Sequence, residues 1–330
     1  MSEPRAGSLQ AWSAATRPRS LLVALSPVLV GSALGFARAG HVDVVAAALV
    51  LGAALLMQLI TNLQNDVGYT VRGGERGGEH SIERTGLPRA TAQGWLSVRQ
   101  VRVAIVAAAL LATGLGITLV AWRGWPVLAI GTASLLAALA YMGGPKPIAY
   151  TPFGELTVFV FFGLVAVMGT DWVLTGQAGT ATMLASLAIG ALAAAALAVN
   201  NHRDIVHDAE VGRRTFAVVF GAAGSRRLFT VLLALPFALL PAIAWLCGSP
   251  ALLLAVAAGA AAMWFARQSE LAETRAQIAQ ARAAIAAHTP PAPQGALVLS
   301  PQEAQDLALG EWTVEPRLLE IERCTDATTI

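Results

Sequence analysis

The chain has 330 residues, of which 56% are hydrophobic and 13% charged, with a net charge of +2 and a mean hydropathy of +0.62. An average soluble domain carries roughly 25% charged residues, so the composition excludes disorder, a collagen-like fibre, a disulfide scaffold and an ordinary soluble enzyme. The small net charge leaves no electrostatic footprint for nucleic acid, and no nucleic-acid partner is expected.

A bilayer-spanning helix needs about 20 mainly apolar residues. Eight segments meet or approach that length, near 20–37, 43–61, 101–121, 125–142, 153–174, 180–199, 228–247 and 250–266, the last being short. The first ends in Phe36-Ala37-Arg38-Ala39-Gly40, a superficial match to a signal-peptidase site, but the charge alternation works only if it stays as a span. Counted from a cytoplasmic N-terminus, 20 basic residues fall on the cytoplasmic side and only Arg38 and Arg123 on the other. Without the residues after 266 the ratio is still 15 to 2, and the positive-inside rule then fixes the orientation.

The chain divides into an N-terminal cytoplasmic segment (1–19), a transmembrane domain (20–266) and a soluble helical tail (267–330). The residues up to 266 carry 17 basic and 11 acidic side chains, the tail 5 and 9. In the tail, Leu271, Ile278 and Ile285 are spaced seven apart, Pro290 and Pro291 stop that helix, and Ser300-Pro301-Gln302-Glu303 has the form of a capping box. The tail carries no catalytic constellation and is expected to be regulatory, partner-binding or dispensable, with its partner unidentified.

The polar information sits in two loops on the basic side. The first runs Asn62-Leu63-Gln64-Asn65-Asp66-Val67-Gly68-Tyr69, continuing to Arg72-Gly73-Gly74-Glu75; the second runs Asn200-Asn201-His202-Arg203-Asp204-Ile205-Val206-His207-Asp208. Residues four apart share a helix face, so Asn62 stacks with Asp66, while Asn200, Asp204 and Asp208 form one stripe. Two facing stripes of carboxylates and carboxamides offer hard oxygen ligands for Mg²⁺, an ion commonly shared between protein carboxylates and substrate phosphates. Arg72, Lys146 and Arg203 supply complementary charge. Spacing alone therefore leads to a membrane-embedded, Mg²⁺-dependent diphosphate site. Among acids flanking the fifth span, Glu155 is expected to pair with Lys146, and Asp171 to be solvated at the far interface; charge within a span usually has a function.

These motifs occur in a collinear set. It includes Thr16-Arg17-Pro18-Arg19-Ser20, the two loops, Tyr141-Met142-Gly143-Gly144-Pro145-Lys146-Pro147, Gly154-Glu155, Phe161-Phe162-Gly163 and Gly212-Arg213-Arg214-Thr215. The set resembles the UbiA superfamily of membrane aromatic prenyltransferases, with its closer likeness to the 1,4-dihydroxy-2-naphthoate polyprenyltransferase branch of menaquinone synthesis. The resemblance implies an all-α integral membrane bundle of eight, or nine, helices in a bacterial-type inner membrane. It implies polyprenyl diphosphate and an aromatic acid as substrates, drawn from the bilayer and the cytoplasmic side, and decarboxylation of the acceptor. Asp66, Glu75, Asp204 and Asp208 would hold the metal. Lys146 would serve catalysis with the aspartates, and Asn62, Asn65, Arg72, Tyr141, Tyr150, Asn200, Asn201, His202 and Arg203 would line the substrates. Tyr69 departs from the family pattern, which has an aspartate there, and His202 stands where Tyr or Leu is usual. The alternatives are a 4-hydroxybenzoate or other phenolic-acid prenyltransferase and, in another class, a transporter or inactive scaffold.

Overall fold

The computed structural model describes residues 4–73 and 88–254. Glu75, the second part of the eighth expected span and the whole 267–330 tail lie outside the described residues. Among those residues there is no strand, and seven helical runs are long and apolar enough to cross a membrane. The first run, Leu9–Ala39, is made of α1 (Leu9–Thr16), a single 3₁₀ turn and α2 (Leu21–Ala39), broken at Arg17, whose φ is 51°. Then follow α3 (Val44–Val71), α4 (Val98–Arg123), α5 (Trp125–Met142), α6 (Gly154–Thr175), α7 (Thr180–Arg203), the short α8 (Ile205–Glu210) and α9 (Phe216–Leu246). Of the eighth expected span, only a 3₁₀ turn at Pro250–Leu253 and Leu254 fall among described residues.

Local chemistry sets the helix ends. Asp43 accepts from Ala46 N to start α3, and Ser97 with Gln100 closes a capping box on α4. Thr215 caps α9 at Val218 N, and Gly124, at φ 79°, makes the tight turn between α4 and α5.

Small residues decide the packing, as expected where lipid removes the hydrophobic drive between helices. An alanine row on α7 (Ala191, Ala194, Ala195, Ala198) packs on Leu232 of α9. The middle of α6, Phe159–Met168, is π-helical and crosses α7 at Gly163 and Gly190. A Cβ on Gly163 would lie 2.8 Å from Gly190 Cα, closer than carbon atoms can approach. On the outer faces Leu110, Ile117, Leu136 and Val231 are exposed, which is the surface that lipid covers. Trp122, Trp125 and Trp245 are exposed near helix ends opposite the two motif loops, in the manner of an interfacial aromatic belt.

That far side corrects one expectation. Asp171 is fully buried, not solvated: Arg38 reaches it at 2.8 Å, Thr182 Oγ1 donates at 2.6 Å and Gly179 N at 3.3 Å. Arg123, the other basic residue of this side, donates to the carbonyls of Val173 and Leu174 in the last turn of α6. Both cations are therefore held by the negative end of one helix or by its acid.

Gly190→Ala forces a methyl group against the Phe159 carbonyl, whereas a Cβ on Gly114 meets nothing within 4 Å. Gly190→Ala should cost about 1–3 kcal/mol, read as a lower thermal midpoint of the purified protein, while Gly114→Ala should leave the midpoint unchanged or raise it.

Candidate active site

The two motif regions meet at one end of the bundle. α3 runs unbroken to Val71, so Asn62, Asp66, Tyr69 and Thr70 do follow one another along its surface. The second stripe bends instead. α7 ends at Arg203, Asp204 forms the joint (φ −93°, ψ 14°), and α8 carries Asp208. Asn200 is left exposed, Asp204 is buried and Asp208 is completely buried.

Arg213 is the centre of the assembly. It is 5% exposed and lies in the turn between α8 and α9. Its Nη1 donates to Asp208 Oδ1 at 2.5 Å and to the Tyr69 hydroxyl, while Nε and Nη2 donate to the Ala149 carbonyl at 3.2 and 3.1 Å. The guanidinium also faces the Tyr69 and Tyr150 rings, 5.1 and 5.7 Å from their centroids, and Arg89 stacks on Tyr69 at 4.4 Å. Tyr69 thus stands among guanidinium groups, at the position where the resemblance led to the expectation of an aspartate.

Burial pushes the Asp208 carboxyl above its ordinary value, and Arg213 opposes that shift. For Arg213 burial favours the neutral form, but Tyr69 and Asp208 outweigh it and the net direction is upward. The Tyr150 hydroxyl is likewise raised, chiefly by burial.

The remaining predicted residues fall into distinct positions. Both oxygens of Asp66 are engaged: Ala90 N and Thr91 N donate at 2.8 and 2.9 Å, and Thr91 Oγ1 at 2.5 Å. Asp66 therefore anchors the turn that leads into α4. Asn62 is buried and donates to the Thr16 carbonyl and Ser20 Oγ, both at 2.8 Å. Arg72 donates to the Met142 and Gly144 carbonyls at 2.8 and 2.5 Å, tying the end of α3 to that of α5. Arg203 pairs in bidentate fashion with its neighbour Asp204, at 2.7 and 2.9 Å. Lys146 is exposed and is not the partner of Glu155, as had been expected; the buried Glu155 accepts from Asn201 Nδ2 at 2.9 Å. His202 is half-buried, and Asn65, Tyr141 and Asn200 line the central cavity.

That cavity measures about 440 Å³ and lies among α2, α3, α4, α5, α6 and α7. Its walls are mostly apolar, with Phe161 and Phe162 from the π-helical turn, and it extends to Val127 and Val173 near the far ends of their helices. Its carboxamides Gln58, Asn62, Asn65 and Asn200, with Tyr141, lie toward the end where the motifs meet, while threonine and serine hydroxyls such as Thr113, Ser134 and Thr170 are spread along the rest.

The donor set suits a hard cation. Asp208 Oδ2 and Glu155 Oε2 are buried oxygens that accept no hydrogen bond among the described residues, and orphaned carboxylate oxygens are sites for Mg²⁺ or for protons. No group of three or more His, Cys, Asp and Glu residues is arranged as a metal cluster among the described residues.

Sequence reasoning missed Arg89 and Arg213 as site residues. Arg213 stood in view in Gly212-Arg213-Arg214-Thr215, five residues past Asp208, and that spacing between an acid stripe and the next span was the available signal. Arg89, outside both motif loops, gave none.

Fold and site together define a polytopic membrane protein with a mostly apolar chamber and a buried acid–arginine cluster. Residues 24–288 match the UbiA prenyltransferase family, and the chain belongs to that family. It is 34% identical over 239 residues to 1,4-dihydroxy-2-naphthoate octaprenyltransferase of Escherichia coli (strain K12), covering 71% of this chain and 76% of the relative. It is 35% identical over 243 residues to the protein of the same name from Mycobacterium tuberculosis, covering 72% and 80%. A solved UbiA homolog from Archaeoglobus fulgidus, bound to DMAPP and Mg²⁺, shares the fold with a TM-score of 0.53 at 17% identity, over 71% of this chain and 78% of that one. The protein is an enzyme that transfers prenyl groups.

Arg213→Met would leave Asp208 buried without its cation, and removal of one partner of a buried pair costs about 3–5 kcal/mol. Arg213→Lys keeps the charge but cannot reach Asp208, Tyr69 and Ala149 together. Thermal unfolding should place Lys between wild type and Met.

Proposed function

We propose that the chain moves a polyprenyl group from its diphosphate to 1,4-dihydroxy-2-naphthoate, with Mg²⁺ and with loss of the acceptor carboxylate, as a step toward menaquinone. The observation that carries this reading is the cavity: a mostly apolar chamber of the right character for an isoprenoid, with its carboxamides Gln58, Asn62, Asn65 and Asn200 and Tyr141 on the side of the two motifs. The names of the Escherichia coli and Mycobacterium tuberculosis relatives support the acceptor, and the ligands of the Archaeoglobus fulgidus homolog support the metal and the diphosphate.

In this reading Asp208, whose Oδ2 accepts no hydrogen bond among the described residues, would hold Mg²⁺ with Asp204 and Glu75. Asp66, whose oxygens are engaged by Ala90 and Thr91, would support the site through the turn it anchors. The ion would neutralise charge developing on the diphosphate as the allylic bond breaks. Arg213, Arg89 and Arg72 set a positive potential at the same end of the chamber, where it assists departure of an anion. Their guanidinium groups are fixed in advance by tyrosine rings and backbone carbonyls, so little reorganisation accompanies the reaction. Tyr141 presents an aromatic side chain to the chamber, suited to a passing carbocation. The apolar walls, Phe161 and Phe162 among them, exclude the water that would otherwise capture that cation. The enzyme would work at the cytoplasmic face of the inner membrane, the side that the 15 basic residues of the body assign.

Membranes containing the protein, given polyprenyl diphosphate, Mg²⁺ and dihydroxynaphthoate, should yield a decarboxylated prenylnaphthol, and EDTA should abolish it. Hydroxybenzoate should give little product; a preference for it would move the chain to the phenolic-acid reading. Asp204→Ala and Asp208→Ala should each remove turnover, and retention of activity in both would refute the metal assignment.

A further inference from the structure

One polar group on the cavity wall has no task in the scheme above. Gln58 lies one helical turn before Asn62 on α3, is 9% exposed and lines the chamber. Its amide orientation follows from its neighbours. Asn62 Nδ2 donates to the Thr16 backbone carbonyl at 2.8 Å, a group that can only accept. Asn62 Oδ1 is consequently an acceptor, and Gln58 Nε2 donates to it at 3.2 Å, with a longer contact to Ser20 Oγ at 3.4 Å. Ser20 Oγ spends its own hydrogen on the Arg17 carbonyl at 2.9 Å, so it too only accepts from these amides. Every assignment is forced by a backbone carbonyl, and Gln58 Oε1 must point away from this chain of bonds.

That oxygen accepts no hydrogen bond among the described residues. A buried carbonyl without a donor costs about 1–3 kcal/mol, a penalty that a ligand O–H can remove. The substrates differ sharply in what they offer. An isoprenoid tail has no donor, and an ionised diphosphate presents acceptor oxygens only. The hydroxyl of an aromatic acceptor is the one substrate group that can donate. Oε1 is itself buried behind the chamber wall. The last torsion of a glutamine is broad, so a rotation brings Oε1 to the chamber in exchange for the 3.2 Å contact of Nε2 with Asn62.

We propose that Gln58 Oε1 accepts a hydrogen bond from a ring hydroxyl of the aromatic acceptor, and so positions the ring and selects hydroxylated acceptors at the wall of the chamber. The inference rests on the prenyltransferase reading and adds to it the residue that recognises the acceptor. Gln58 touches neither the carboxylates nor Arg213 in this arrangement, so it acts on acceptor binding and not on diphosphate departure. Diphosphate leaves with the electron pair of the C–O bond, the ring attacks the allylic cation to form the new C–C bond, and the ring regains aromaticity by losing its carboxylate as CO₂. The hydrogen-bonded hydroxyl supplies electron density to the ring throughout.

The test uses the full chain in lipid nanodiscs, with polyprenyl diphosphate and Mg²⁺ as donor system. The inhibition constants of two ligands are compared, a naphthoate with free ring hydroxyls and its methyl ethers, in wild type and in Gln58→Met. Wild type should favour the free hydroxyl over one of the ethers by about tenfold, the loss of one hydrogen bond. In Gln58→Met that ratio should fall to about one, while the KM for polyprenyl diphosphate stays unchanged. Gln58→Glu retains an oxygen at the same reach and should keep the preference, which preserves the test if the Met variant fails to insert. Equal binding of hydroxyl and ether by wild type would overturn the proposal, because the oxygen would then be met by water or protein. So would a ratio that survives in Gln58→Met, or a donor KM that moves with the acceptor constant. Absence of product from wild type with any acceptor would instead overturn the prenyl-transfer reading itself.

Discussion

A guanidinium with almost no contact with solvent has to be compensated on every side, because an uncompensated buried charge is among the largest penalties a fold can carry. Arg213 meets that demand with groups from three separate parts of the chain: the Tyr69 hydroxyl on α3, the Ala149 carbonyl after α5, and Asp208 on α8. The contact is the place where the first motif, the second motif and the connection between them become one structure. It also gives Tyr69 a part in the site, at a position where the resemblance led to the expectation of an acid. A phenol satisfies Arg213 through both its oxygen and its ring, and leaves Asp208 with one oxygen still uncommitted.

The two ends of the bundle use charge in opposite ways. At the far end Arg38 and Arg123 are consumed by Asp171 and by the last carbonyls of α6, which closes that side without leaving a reactive group. At the motif end, several buried oxygens accept no hydrogen bond among the described residues. Between them runs a chamber whose walls come from small and apolar side chains, made possible where α6 and α7 approach at Gly163 and Gly190. Along most of that length a hydrocarbon chain meets apolar side chains and scattered hydroxyls, and the carboxamides lie on the side of the motifs.

Much of this was legible in the sequence. Hydropathy located seven of the spans, because their length and apolar character follow from the cost of placing polar groups in lipid. Helical spacing brought Asn62 and Asp66 together correctly, since α3 is unbroken. The same spacing misled at Asn200, Asp204 and Asp208, because a helix joint at Asp204 turns the last acid toward the interior. Nor could spacing reveal that Asp66 anchors a turn through Ala90 and Thr91, or that Glu155 is held by Asn201 instead of Lys146. Those choices depend on which polar group reaches a buried carboxylate first. Partners 24 and 46 positions away leave no mark on a local pattern.

The claim on which the account depends most is that Tyr69 and Arg213 act as one unit across the two motifs. A double-mutant cycle on unfolding free energy, with Tyr69→Phe, Arg213→Lys and the double variant, measures this directly. The account predicts a coupling of about 1–3 kcal/mol, the range for residues sharing a buried network. Additive effects, within about 0.5 kcal/mol, would contradict it and would mean that the two motifs are held together by something other than this contact.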